Sequence, residues 1–150
     1  MKALIQRVKE ASVVVDGETT GAIEKGILIF LGITHEDGPR EIEALVDKIV
    51  NLRIFENDGK RMDFSIKDLG GDLLVVSQFT LYGSLKKGRR PDFGDAANPE
   101  KAKELYNLFV EECRKTELKV ETGEFAAMMD VSLINDGPVT FLLDSKDLLR

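Results

Sequence analysis

The chain has 150 residues, 43% of them hydrophobic and 32% charged, with a formal net charge of -6. Residues 1–150 therefore read as one domain able to bury a core of its own, and the acidic balance argues against gripping nucleic acid by bulk charge. A single cysteine and a single histidine exclude an intrachain disulfide and a Cys/His zinc cage. No apolar run reaches membrane-span length and the opening MKALIQRVKE lacks a signal-peptide core, so the expected setting is the reducing cytoplasm.

Ala3–Val8 and Ala11–Val15 read as two strands, and Asp16-Gly17 is a hairpin signal leading into a third around Gly21–Ile23. The continuous apolar run Gly26–Ile33 predicts a central strand covered on both faces. Pro39 suits the first turn of a helix. Ile42, Leu45, Val46 and Ile49 then follow helical spacing to about Asn51. Leu52–Phe55 reads as a short strand and Asn57–Lys60 as a turn, with a polar surface meander to Asp68.

Leu73–Val76 predicts a buried strand that runs into Ser77-Gln78-Phe79-Thr80-Leu81-Tyr82-Gly83. If the strand continues, Ser77 and Phe79 share one face while Gln78 and Thr80 share the other. Buried unpaired polar groups cost about 1–3 kcal/mol each. These side chains therefore either bond to neighbouring backbone or converge on a ligand. Lys86-Lys87-Gly88-Arg89-Arg90 follows, four cations in five residues: a solvated loop or a phosphate contact.

Asn98-Pro99-Glu100 announces a second helix with Ala102, Leu105, Tyr106, Phe109 and Cys113 as its apolar stripe. Cys113 is a core residue on this reading, not a nucleophile. Leu118–Glu121 alternates as a strand. Val131–Ile134 and Val139–Leu143 are strand-like runs flanking the turn signal Asn135-Asp136-Gly137-Pro138, and 146–150 is a tail expected to fray. Many strands with two amphipathic helices predict an α/β layered fold.

The usual hydrolytic equipment is missing. His35 is the lone imidazole and reads as a surface residue, and there is no GxSxG, HExxH or P-loop pattern. An enzyme built this way needs a substrate that is already activated or that carries its own assisting group. Gly137-Pro138 is an ordinary turn or, in a cis arrangement, two side-chain-free carbonyls able to accept from an amino group.

Ser77–Gly83 and Asn135-Asp136-Gly137-Pro138-Val139-Thr140 together resemble the D-aminoacyl-tRNA deacylase family, of the bacterial D-tyrosyl-tRNA deacylase type. Ile5–Val8 with Ala11–Val13, Leu31–His35, Leu52–Phe55 and Lys87–Pro91 also look like that family, so the likeness spans nearly the whole chain. Tyr82-Gly83-Ser84 departs from versions with alanine and aspartate after the tyrosine.

The resemblance implies a three-layer α/β/β fold with mixed sheets and two main helices. It implies a homodimeric hydrolase, with active sites at the subunit interface, that cleaves the ester joining a D-amino acid to the tRNA 3′ adenosine. Mischarged glycyl-tRNA(Ala) would also be a substrate, and no cofactor or metal is called for. Ser77, Gln78, Phe79 and Thr80 would build the pocket, while Gly137 and Pro138, joined by a cis bond, would reach into the partner's pocket and reject L-amino acids. Lys86, Lys87, Arg89 and Arg90 would meet tRNA phosphates. Two readings compete: a non-enzymatic dimeric module for amino-acid-like ligands, and a general RNA-binding protein, which the acidic composition disfavours.

Overall fold

The computed structural model describes residues 1–149. The elements run β1 (Lys2–Val15), β2 (Glu18–Ile23), β3 (Gly26–Gly32), α1 (Pro39–Asn51), β4 (Phe55–Asn57), β5 (Lys60–Phe64), α2 (Ile66–Leu69) and β6 (Asp72–Ser77). A 3₁₀ turn (Phe79–Tyr82) follows, then α3 (Pro99–Arg114), β7 (Lys119–Thr122), β8 (Asp130–Asp144) and α4 (Ser145–Leu148). Among the described residues no helix is long and apolar enough to cross a membrane.

The main sheet has the order β2-β1-β3-β6-β7, with β8 on the free side of β1. β3, β6 and β7 are parallel neighbours, and β1 is antiparallel to β3. Apolar runs in the two central strands sort by alternation. Ile27, Ile29, Leu31, Leu73 and Val75 join one core with the buried stripes of α1 and α3. Leu28, Leu74 and Val76 join a second core with Val8, Ala11, Val13 and Ile23. Both faces of the central strands are thus covered, which explains why no polar residue interrupts them.

The second cover is made by β1 itself. Its first half pairs β3, its second half pairs β2, and it carries β8 along its length, so one 14-residue strand passes from one layer to the next. The layers meet closely at Gly21, where a Cβ would come within 2.3 Å of the Thr122 carbonyl oxygen. Helices on one face of the six-stranded sheet and its own folded-over part on the other give the layering that the family resemblance implied.

Several expectations need correction. Ala3–Val8 and Ala11–Val15 are one strand: β1 bends through irregular pairing with β8 around Val8, so Lys9 and Glu10 do not turn the chain. The short strand predicted at Leu52–Phe55 begins only at Phe55, because Leu52–Ile54 serve as the exit from α1. The polar meander is a hairpin, β4–β5, followed by a capped helical turn. Val131–Ile134 and Val139–Leu143, read as two runs flanking a turn signal, lie in the one strand β8. Both pair with β1 in one direction, and Asp136–Val139 bulge out opposite Arg7 alone. Of the expected tail, 146–148 belong to α4 and residue 150 lies outside the described residues; Asp144 caps the helix, and Ser145 Oγ accepts a 2.9 Å hydrogen bond from the Met1 ammonium.

Candidate active site at the ends of the parallel strands

In open α/β sheets ligands sit beyond the carboxyl ends of parallel strands, and a cleft of about 760 Å³ lies there. Val76 and Ser77 form its floor, Phe79 and Phe93 its rim, and the α3 start with the Phe125–Met129 segment its walls. β6 is held where it enters. The Val75 carbonyl accepts both Tyr106 Oη at 2.7 Å and the Gly123 amide at 3.3 Å. The Gln78 amide then makes a last bond to the Leu31 carbonyl at 2.8 Å.

There the strand stops. Phe79–Tyr82 wind into a 3₁₀ turn, so the face-sharing predicted for Ser77 with Phe79 and for Gln78 with Thr80 does not hold. The first N–H groups of such a turn have no partner within it. Among the described residues no acceptor meets the amides of Phe79 and Thr80, the first two residues of the turn; Phe79 lines the cleft and Thr80 follows it. Gln78 Nε2 donates to Thr80 Oγ1, fixing the hydroxyl at this edge. No acidic or imidazole side chain bonds to Thr80. His35 Nε2 instead lies 2.6 Å from the Gly94 carbonyl, an acceptor that requires a proton on that nitrogen. Cys113 is buried in α3 with its thiol pushed up to about 12 by desolvation, so it stays protonated.

The cleft wall opposite β6 is tied to the β3 exit. Thr34 Oγ1 donates to the Asp95 carbonyl at 2.5 Å, and the Ala97 amide donates to the Ile33 carbonyl at 2.9 Å. Lys86, Lys87, Arg89 and Arg90 stand exposed on the loop between Ser84 and Asp92, which close it by reciprocal backbone bonds of 2.7 and 2.9 Å. None of the four lines the cleft; the loop ends one residue before Phe93. Among the described residues no group of three His, Cys, Asp or Glu side chains gathers to hold a metal.

Gly137 and Pro138 lie elsewhere, joined by a cis peptide. Their bulge is framed by Arg7, whose guanidinium donates to the Asp136 carbonyl at 3.0 Å and the Ile54 carbonyl at 2.6 Å and faces the Gly137 carbonyl at 3.5 Å. Asn135 Nδ2 bridges the carbonyls of Arg7 and Val139 at 2.9 and 3.1 Å. Arg7 had no predicted role. Its signal was a cation in phase with Ala3 and Ile5, residues of a buried face.

The ladder gives the spacing. The bulge sits level with Arg7, which pairs Ile27, which pairs Leu73, four residues before Ser77. Three strand spacings across and four residues along amount to about 20 Å. One chain does not bring Gly137 and Pro138 to its own Ser77–Thr80.

The family model for D-Tyr-tRNA(Tyr) deacylase matches residues 4–144. The chain belongs to that family. It is 56% identical over 97% of its length to a D-aminoacyl-tRNA deacylase of Thermosipho africanus, covering 98% of that protein. It is 55% identical to one of Brevibacillus brevis, over 97% of this chain and 100% of the relative. Among solved structures it is similar to a c-Myc DNA Unwinding Element Binding Protein, at 48% identity with a TM-score of 0.90, covering 96% of this chain and 98% of that one. A probable eukaryotic D-amino acid tRNA deacylase shares the fold at 17% identity, with a TM-score of 0.82 and 95% and 97% coverage. The protein is accordingly an enzyme of the D-aminoacyl-tRNA deacylase family.

Proposed function

We propose that the enzyme is a cytoplasmic homodimer that clears D-amino acids, and mischarged glycine on tRNA(Ala), from the tRNA 3′ end. The observation that carries this reading is the pair of amides at Phe79 and Thr80, without a partner among the described residues, at the start of a turn whose first residue lines the cleft. An aminoacyl ester is activated, and its cleavage chiefly requires stabilising the developing oxyanion. A preorganised donor is worth about 3–4 kcal/mol there. The vicinal 2′-hydroxyl of the terminal ribose orients the attacking water, the service for which this chain offers no base. Thr80 is a weaker candidate as nucleophile, because no group near it takes its proton.

Selection by handedness falls to the Gly137 and Pro138 carbonyls, acceptors for the substrate's α-ammonium. Holding that group by backbone leaves a D side chain free and drives an L side chain into the wall. Glycine has no side chain to be rejected. On this reading the clamp serves another copy's cleft, which the separation of about 20 Å across the ladder of one chain supports. β8 suits such pairing: it is a 15-residue edge strand with exposed Ile134, Phe141 and Leu142, the kind of edge that proteins cover.

The test is turnover of paired D- and L-tyrosyl-tRNA, followed by mixing two inactive variants. Gly137→Val and Phe79→Pro, the second of which removes one amide donor at the first position of the turn, co-refolded, regain activity to about a quarter of wild type, because half the dimers are mixed and each holds one intact site. Equal hydrolysis of both enantiomers sinks the filter. Absence of any recovery sinks the shared site.

A further inference from the structure

We propose a second nucleotide subsite at the cleft mouth, in which Phe93 stacks the base that precedes the terminal adenosine. This rests on the deacylase reading, since it concerns the same RNA end. Phe79 and Phe93 form an edge-to-face pair, centroids 5.0 Å apart and planes at 64°, and they are 54% and 39% exposed. Large aromatic surface left open is costly in water, and here the backbone holds it open. Gly83 underlies Phe93 so closely that a Cβ there would fall 2.9 Å from the ring. The ring therefore rests on bare backbone on one side and is free to meet a ligand on another.

Charge supplies the direction. Phe93 follows the loop whose ends close at Ser84 and Asp92 and whose exposed Lys86, Lys87, Arg89 and Arg90 have no side-chain partner among the described residues. An aromatic platform beside unpaired cations on an otherwise acidic protein matches single-stranded nucleic acid: bases stack while the cations follow the backbone. The inner cleft, walled by Ala97, Ala102 and the Phe125–Met129 segment, is apolar and suits the terminal base. The phosphate 5′ of that nucleotide then leaves past Phe93 toward the cationic loop, carrying the preceding base to the rim. Stacking reads no base edge, so the subsite is indifferent to sequence but demands an unpaired end.

The experiment compares three uncleavable amide-linked ligands: D-tyrosyl-adenosine, the same extended 5′ by an abasic nucleotide, and the same extended by cytidine. Calorimetry gives each affinity. Wild type binds the cytidine ligand about tenfold more tightly than the abasic one, since stacking on an aromatic carries that much. Phe93→Leu loses most of that ratio, whatever it does to adenosine alone, and Phe93→Trp keeps it. The chain has no tryptophan, so the indole of Phe93→Trp is a sole fluorophore of its kind, and it is quenched by the cytidine ligand but not by the abasic one. Equal binding of the abasic and cytidine ligands by wild type overturns the subsite, as does an undiminished ratio in Phe93→Leu. Hydrolysis of the ester-linked counterparts is scored separately. Its absence refutes the deacylase reading, while the binding ratios still decide the stacking site.

Discussion

Tyr106 Oη donates to the Val75 carbonyl across 2.7 Å, two residues before Ser77, and so fastens α3 to the strand that ends at the candidate site. Burial pushes the phenol up to about 12, so it remains a donor through any ordinary pH. Tyr106→Phe keeps the packing and removes the bond. The Val75 carbonyl retains Gly123, so the expected loss is about 1 kcal/mol in urea unfolding, with a larger relative fall in kcat than in stability if strand placement governs the amides of Phe79 and Thr80.

Arg7 is the opposite case, one cation serving three carbonyls in two segments, the bulge and the exit from α1. Lysine has no fork to reach them together. Both Arg7→Lys and Arg7→Met should lower kcat/KM on D-tyrosyl-tRNA by about tenfold or more, and Arg7→Met should cost about 1–3 kcal/mol of stability. Retained discrimination between D- and L-substrates in Arg7→Met would count against the bulge as the chiral clamp.

Thr80→Ala separates the two chemical schemes. With oxyanion stabilisation by amides and help from the 2′-hydroxyl, the variant keeps turnover within about tenfold of wild type, while a 2′-deoxy substrate loses about a hundredfold. Collapse of Thr80→Ala with full activity on the deoxy substrate would instead make the hydroxyl a nucleophile.

Reversing charge in the loop, with Arg89→Glu and Arg90→Glu, should raise KM for aminoacyl-tRNA. The salt dependence of binding should flatten by about one power of concentration for each phosphate that the loop no longer neutralises. An unaltered slope marks the loop as solvated surface.

Asp63 sits below the ordinary carboxylate range because Asn57 and then Arg53 donate to it. A folded-state value lower than the unfolded one stabilises the protein above the unfolded value, and that contribution fades as pH falls through the folded one. Asp63→Asn should therefore lower Tm at about pH 6, and the gap to wild type should close toward about pH 3.

The layers and helices were legible because their signals are local. The stripes of α1 and α3 repeat at helical spacing, and the runs in β3 and β6 are apolar on both faces. What the sequence hid was relational. Nothing in Val131–Leu143 says that its two halves share one partner, because a turn signal and a bulge use the same residues. Likewise Ser77–Thr80 reads as strand until the ladder ends at Gln78 and the chain must wind. Of the pocket residues that the family likeness implied, Ser77, Gln78 and Phe79 line the cleft, while its Phe125–Met129 wall carried no signal. No role was legible for Arg7, although it lies within the Ile5–Val8 likeness, or for Phe93, since a framing cation and a rim aromatic acquire meaning only from what stands next to them in space.

If the clamp is lent between copies as proposed, the three strand spacings between the Gly137 bulge and Ser77 also make activity answer to abundance. Diluted far enough that copies part, each chain would lack a completed site, and specific activity would fall. Editing capacity would then rise faster than protein concentration near that threshold, giving a cell an off-state that needs no inhibitor.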